Sequence, residues 1–463
     1  MISGRNYTVA LFSTSSVQFI RLFTSLGLNL WIANSLGVKL FGEATLLLVF
    51  SNLSIFISSE ASRLAILKFK ILNLFYLKKI VIFNLVIGFF TSAIFCAYLI
   101  FIADYSFSLK LFLLFFLIPF SSFYQSLVAI DQLKDNYFYL GMKQVFSLVI
   151  GVLVAVLNQL FFADNLTLAI YIVASYLTFI VLSLFNEISK VKDDSIAKSS
   201  DFQIDNLWLL KSSVYGSLGM TGNQAPLIII ENFLNKFDFG IFALAWRIFE
   251  ASYRSIVAVL SQVFTPVISL AKNSKERGKI LMVCTIIVVF SVSITSNFLN
   301  EFSYLLVTFL DGNWDGLKER ITQFAFLILI LSMSSLSSQN IFFDKKINIS
   351  VTSNFFKLMI NSMVLITLVK VFQLNIFLSL ILIFSLETIL LLGFSMKKEN
   401  LRSYMQILLY SPLVILSVYV STEISFGLFK NIYVSFFLNS LLWGFLFTLV
   451  FFLLTKERKI NNR

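Results

Sequence analysis

Apolar residues run through this chain in blocks too long for a soluble core. Nine stretches without Asp, Glu, Lys or Arg cover 80–103, 111–130, 144–163, 165–186, 212–230, 280–300, 321–343, 403–422 and 431–455. About 20 mostly apolar residues suffice for a helix to cross a bilayer, so each block is a span by itself. Further blocks near 8–33, 40–60, 239–268, 348–369 and 375–396 are interrupted by only a few charges. The pattern predicts fourteen membrane helices. It does not alternate apolar and polar every second residue, which excludes a β-barrel.

Composition agrees. Hydrophobic residues make up 58% of the 463, charged residues 13%, and Phe alone occurs 54 times. A soluble chain carries about 25% charged residues. A cytosolic enzyme, a secreted disulfide scaffold and a disordered regulator are therefore excluded. With no His, His-based catalysis and His metal sites are absent. Cys96 and Cys284 each lie in an apolar block and read as separate free thiols. The Gly278-Lys279 pair is preceded by Asn273 where a P-loop needs Gly. No cofactor and no metal is implied.

Charge gives the orientation. With the N-terminus inside, 25 of the 36 Lys and Arg fall in inside segments, 7 outside, and 4 within spans. Cytoplasmic loops collect basic residues, so an even number of spans with both ends cytoplasmic fits. The same rule accounts for the net charge of +12 without nucleic acid. The predicted organisation is an N-terminal lobe of spans one to six (1–188), a cytoplasmic linker (189–206), and a C-terminal lobe of spans seven to twelve (207–396). Two additional spans and a basic tail follow (397–463). A weak internal repeat supports two lobes. At an offset of 198, Asn34, Leu36, Phe41 and Gly42 match Asn232, Leu234, Phe239 and Gly240. Six intervening spans keep both halves in the same orientation, a parallel repeat about the membrane normal.

The four basic residues within spans are the candidate chemistry. A charge at the bilayer centre costs about 2.5–3.5 kcal/mol on insertion scales, so it faces a partner, a cavity or a pathway. Gln18, Arg21, Ser25 and Asn29 form one polar stripe in span one by their spacing of three and four. Arg247, Glu250 and Arg254 share a face of span eight, where Glu250 is expected to pair with one Arg and leave positive charge. Lys357 and Asn361 share a face of span eleven, and Glu387 lies in the middle of span twelve. These residues either pair to fix helix packing or line a substrate pathway. Glu250 and Glu387 are also candidates for ion coupling. All four prolines, Pro119, Pro226, Pro266 and Pro412, lie in apolar blocks and predict bent helices.

Three stretches carry a resemblance to a family. They are Ser35-Leu-Gly-Val-Lys-Leu-Phe-Gly-Glu43, Phe239-Gly-Ile-Phe-Ala-Leu-Ala-Trp-Arg247 with Phe264-Thr-Pro-Val-Ile-Ser-Leu-Ala271, and Leu310-Asp-Gly-Asn-Trp314. The chain resembles bacterial polysaccharide (O-antigen type) flippases of the multidrug/oligosaccharidyl-lipid/polysaccharide exporter superfamily. It departs from them at Asn34, where relatives often carry Arg, and at Phe242, where they often carry Tyr. The resemblance implies a non-enzymatic flippase of the bacterial inner membrane. It would move a polyprenyl-pyrophosphate-linked oligosaccharide to the outer leaflet for lipopolysaccharide or capsule assembly. The implied partners are that lipid-linked oligosaccharide, membrane lipid, a polysaccharide polymerase and chain-length proteins. A multidrug or metabolite antiporter of the same superfamily is the alternative, although a cationic drug would want an acidic cavity. A polysaccharide-modifying membrane enzyme fits less well, because acyltransferases of that kind usually need His.

Overall fold

The computed structural model describes residues 4–69, 74–101, 109–134, 137–162, 164–188, 206–259, 314–344 and 347–395, with isolated positions between 292 and 310. Among the described residues every regular element is a helix. The first half holds α1 (Gly4–Phe69), α2 (Leu74–Phe101), α3 (Leu109–Ser121), α4 (Phe123–Leu133), α5 (Tyr137–Phe162) and α6 (Thr167–Ile188). The second holds α7 (Asn206–Glu231), α8 (Lys236–Val259), α9 (Leu317–Asp344), α10 (Ile347–Met359) and α11 (Ile376–Ser395). Helix α10 continues through two π-helical turns, Ile360–Val364 and Thr367–Val371. Eleven of the fourteen expected spans are represented. Most of span nine, spans thirteen and fourteen, Pro266, Pro412 and Cys284 lie outside the described residues.

Helix α1 would be about 100 Å long if straight, far more than a bilayer core of ~30 Å. It breaks at Gly37, whose φ of 72° and ψ of 171° no other residue adopts cheaply. Two helices therefore meet at that kink. The block 111–130, expected as one helix, is divided between α3 and α4. Pro119 cannot donate to the Phe115 carbonyl four residues back. Ser92 of α2 donates to that carbonyl at 2.7 Å instead. Pro226 in α7 likewise frees the Gly222 carbonyl, and Asn361 of the π turn donates to it at 2.9 Å. Both bends are thus satisfied by side chains of neighbouring helices, which is how membrane helices tolerate proline.

Helix α5 shows what solvent these helices face. Its inner side buries Lys143, Gln144, Ser147, Gly151 and Gln159, while Phe138, Phe146, Leu153, Leu157 and Phe161 point outward. Large apolar residues outside and small or polar ones inside is the arrangement for a lipid-facing helix. Length and apolarity alone mark five described stretches as membrane-crossing, among them Tyr137–Phe162 and Thr167–Leu184. Helix α8 misses that test because Arg247, Glu250 and Arg254 sit in one membrane-length window. The chain is an all-α, multi-pass membrane protein.

Helices α1 to α6 pack mainly on one another, as do α7 to α11, and the two groups meet where α1 crosses α7 and α8. At the end of the bundle that holds the Gly37 turn, Gly42 packs against Gly240. A Cβ on Gly240 would sit 2.1 Å from the Val38 carbonyl oxygen, and one on Gly42 would sit 3.3 Å from the Gly240 Cα. These glycines are the matched positions of the internal repeat. A two-fold axis between the groups would bring equivalent positions together where it passes beside them. Phe41 meets Trp314 edge-on beside them, with centroids 6.0 Å apart. Lys236 and Glu43 form an exposed ion pair across the same seam at 3.2 Å.

Candidate functional site

A cavity of ≈ 380 Å³ lies between the two helix groups, walled by α1, α4, α5 and α6 on one side and α7 to α10 on the other. It sits away from the glycine seam. Its lining residue Ser25 is twelve residues before Gly37, and Trp246 is about 15 Å along α8 from its start at Lys236.

The first wall is built around Arg21. The Arg21 guanidinium donates to the Tyr124 hydroxyl and lies near those of Tyr171 and Tyr176. Among the described residues it forms no ion pair. Tyr124 stacks on Tyr176 with centroids 4.3 Å apart and planes 16° from parallel. Gln144 of α5 donates to the Tyr124 hydroxyl at 3.2 Å. Gln18, one turn before Arg21, is buried on the same wall, and its amide nitrogen has no hydrogen-bond partner among the described residues.

The second wall holds an engaged carboxylate. Glu250 accepts from Arg247 at 2.6 Å, from Arg254 at 2.5 Å, and from the Gln224 amide at 2.5 Å. The expectation that Glu250 pairs with a single Arg is therefore corrected. Spacings of three and four put one Arg a turn before it and the other a turn after, so both reach it. Arg247 and Glu250 are buried, and the Arg254 side chain is 34% exposed to the cavity. Net positive charge remains.

Lys357 also reaches the cavity, from α10. Its ammonium lies 2.7 Å from Glu387, which is fully buried on α11. Glu387 further accepts from Ser334 and, at 2.6 Å, from Asn361. The structure thus joins three residues that the sequence placed on two separate helices. Asn361 and Glu387 stand behind the wall. Asn29 is not on the wall either. Its amide donates at 2.6 Å to the Ser25 carbonyl of its own helix, which takes it off the cavity stripe.

Of the sequence-derived candidates, Gln18, Arg21, Arg247, Glu250, Arg254 and Lys357 line the cavity. Charge counting missed Tyr124, Tyr171, Tyr176, Gln224 and Trp246. The tyrosines sit in apolar blocks where an aromatic residue is unremarkable. The Asn223-Gln224 pair just before Pro226 was the readable signal, being two amides in the middle of a span. Arg63, one of the 25 basic residues counted in inside segments, is buried within α1 and also reaches the cavity.

No protein-family profile matches the sequence, and no curated protein does. Solved structures do. A MATE transporter in complex with MaD5 aligns over 87% of this chain and 96% of its own, with a TM-score of 0.58 and 14% identity. The chain has the MATE transporter fold. An outward-facing multidrug resistance MATE transporter of the MOP superfamily gives a TM-score of 0.55 at 14% identity, covering 86% of this chain and 95% of that one. The MATE transporter ClbM, in complex with Rb+, gives 0.53 at 12% identity over 86% and 97%. Near-complete coverage of these chains means that the whole transporter body is shared, not one bundle of it.

Proposed function

We propose that the protein translocates a polyprenyl-pyrophosphate-linked oligosaccharide across the bacterial cytoplasmic membrane, by alternating access of the central cavity. The observation that carries this reading is the sign of the cavity. Arg21, Arg63, Arg247, Arg254 and Lys357 line it against one lining carboxylate, Glu250, with Glu387 behind Lys357. With Arg63 set aside, basic charge still exceeds acidic. A pyrophosphate needs such charge once it leaves water, and guanidinium binds it with paired hydrogen bonds. The lipid tail stays in the bilayer while the head passes between the helix groups. In this reading both termini are cytoplasmic, two six-span lobes flank the cavity, and spans thirteen and fourteen lie at the periphery. The cavity of the present structure then lies toward the cytoplasm, where the loaded lipid is made, with the glycine seam closing the outer side.

The fold itself equally accommodates multidrug export, which is what one of the structural neighbours is described as doing. A cationic drug would meet the same excess of Arg and Lys and be repelled. The test is surface polysaccharide in a host whose own flippase is deleted, normalised to membrane protein. Restoration by the wild-type chain without any rise in drug tolerance supports the flippase. Drug tolerance without polysaccharide supports the exporter.

A further inference from the structure

The end of the bundle that holds the glycine seam carries charge as well. Lys236 of α8 and Glu43 of α1 form their ion pair beside Gly42 and Gly240, at 3.2 Å. A second carboxylate, Glu231, stands with them. It is the last residue of α7, just past the apolar block 212–230, and the chain then turns through 232–235 into α8. The charged groups that act on Glu231 are Lys236, from its own half, and Glu43, from across the seam. Asp238, in the first turn of α8, is taken up by the Asn235 amide at 2.6 Å. Among the described residues, no charge of α10 or of its π turns acts on Glu231, and Glu231 forms no ion pair of its own.

Three features disfavour the charged form of Glu231 while the seam is closed. Partial burial strips water from the carboxylate and is the largest of them; Lys236 acts against it and the Glu43 carboxylate with it, so the Glu231 carboxyl is held above the usual range for Glu. The position adds to this, because a carboxylate at the C-terminal end of a helix faces the negative end of its dipole. Opening the seam would change the first two. Lys236 would stay, since it follows in the same half, whereas Glu43 would depart with α1 and water would return. The closed seam therefore holds a proton on Glu231 more tightly than an open one. That proton stabilises closure in full below the open-state range of Glu231, and the gain is lost as pH rises through the closed-state range. The exposed Lys236–Glu43 pair is worth little by itself, so the glycine contact makes the closure and the charges only bias it.

Resting on the alternating-access reading, in which the glycine seam is the outer closure, we propose that Glu231 is a proton-operated bias built into that seam: a proton taken from outside favours the closed seam, and its release favours opening. Glu231 does not line the central cavity. Its proton therefore returns to the outside when the seam reopens. The device sets the balance between the two states and carries no proton across the membrane. In a cell whose outside is the more acidic side, it would return the unloaded carrier to the state open to the cytoplasm.

The test is the distance across the seam in the full-length protein in nanodiscs, with Cys96 and Cys284 replaced. Spin labels go on cysteines at Asn34 and Phe237, which are exposed and lie one in each half. Pulsed electron resonance then gives the ratio of short to long distances as pH is lowered from about 8 to about 4.5, toward the ordinary range of Glu. The ratio is expected to rise on acidification, by no more than about tenfold per pH unit, the limit for one proton. Glu231→Gln, a neutral group of the same shape, should hold the acid-state ratio at every pH. Glu231→Asp should keep a pH response, and Glu43→Gln should move the response to lower pH. A ratio that does not change with pH, a Glu231→Gln variant that responds as the wild type does, or a response unmoved by Glu43→Gln would overturn the proposal. No cargo is present in these measurements. Their failure leaves the flippase reading standing, and a failure to move lipid-linked oligosaccharide leaves the seam result standing.

Discussion

Lys357 and Glu387 sit 2.7 Å apart in the protein interior, and each is the other's ion-pair partner among the described residues. Removing one member strands the other, a loss of about 3–5 kcal/mol for a buried pair. Lys357→Met should therefore lower the amount of folded protein in membranes, and Lys357→Met combined with Glu387→Leu should recover much of it. Fluorescence-detected size-exclusion profiles of the two variants check this. Arg21 predicts the opposite pattern. It has no carboxylate partner among the described residues, so Arg21→Gln should leave protein amount near normal and reduce surface polysaccharide severalfold. Arg21→Lys should recover only part, because it keeps the charge and loses the planar fork. Both residues look alike in sequence, as basic residues on polar helical faces. What separates them is a partner thirty residues away on α11, and one-dimensional spacing carries no information about contacts between helices. The same limit hid the second bond of Glu250 least, since both of its Arg partners lie within a turn.

In the alternating-access proposal, the bends of α3 and α7 and the seam between α1 and α8 are the elements on which movement of the two helix groups would depend. Each proline-freed carbonyl is held by one side chain, Ser92 for Phe115 and Asn361 for Gly222. The bends were legible from proline alone. The π turns that carry Asn361 were not, because nothing in the local composition of 360–371 distinguishes π from α winding. At the seam, close approach demands glycine. Gly240→Leu cannot be housed while the Val38 carbonyl lies 2.1 Å from its Cβ position. The variant should hold the seam open. In a background with Cys96 and Cys284 replaced, a cysteine at Ser25 should then label faster with an impermeant reagent from outside whole cells than it does with Gly240 intact. Equal labelling would mean that the seam is not the outer closure.

At the scale of the whole molecule, the class of fold was readable from block lengths, because the bilayer imposes a fixed span on every helix that crosses it. The pairing of the two halves left only four matched residues in sequence, yet Gly42 and Gly240 meet in space. All of the linker 189–206 but Asn206, and the added spans, fall outside the described residues, so their placement rests on charge. Cysteines at Ser195 and Asn313, in the same cysteine-free background, should show Asn313 labelled in intact cells and Ser195 only after permeabilisation. Labelling at Ser195 in intact cells would invert the orientation. The central claim is that this fold moves an anionic glycolipid through a cationic cavity, and transfer between leaflets in vesicles measures it most directly. Purified protein is reconstituted with a labelled polyprenyl-pyrophosphate oligosaccharide, and the fraction reaching the opposite leaflet is followed over time. Transfer above protein-free vesicles by the wild type, reduced severalfold in Arg21→Gln, is the predicted result; no transfer by the wild type, or undiminished transfer by Arg21→Gln, contradicts it.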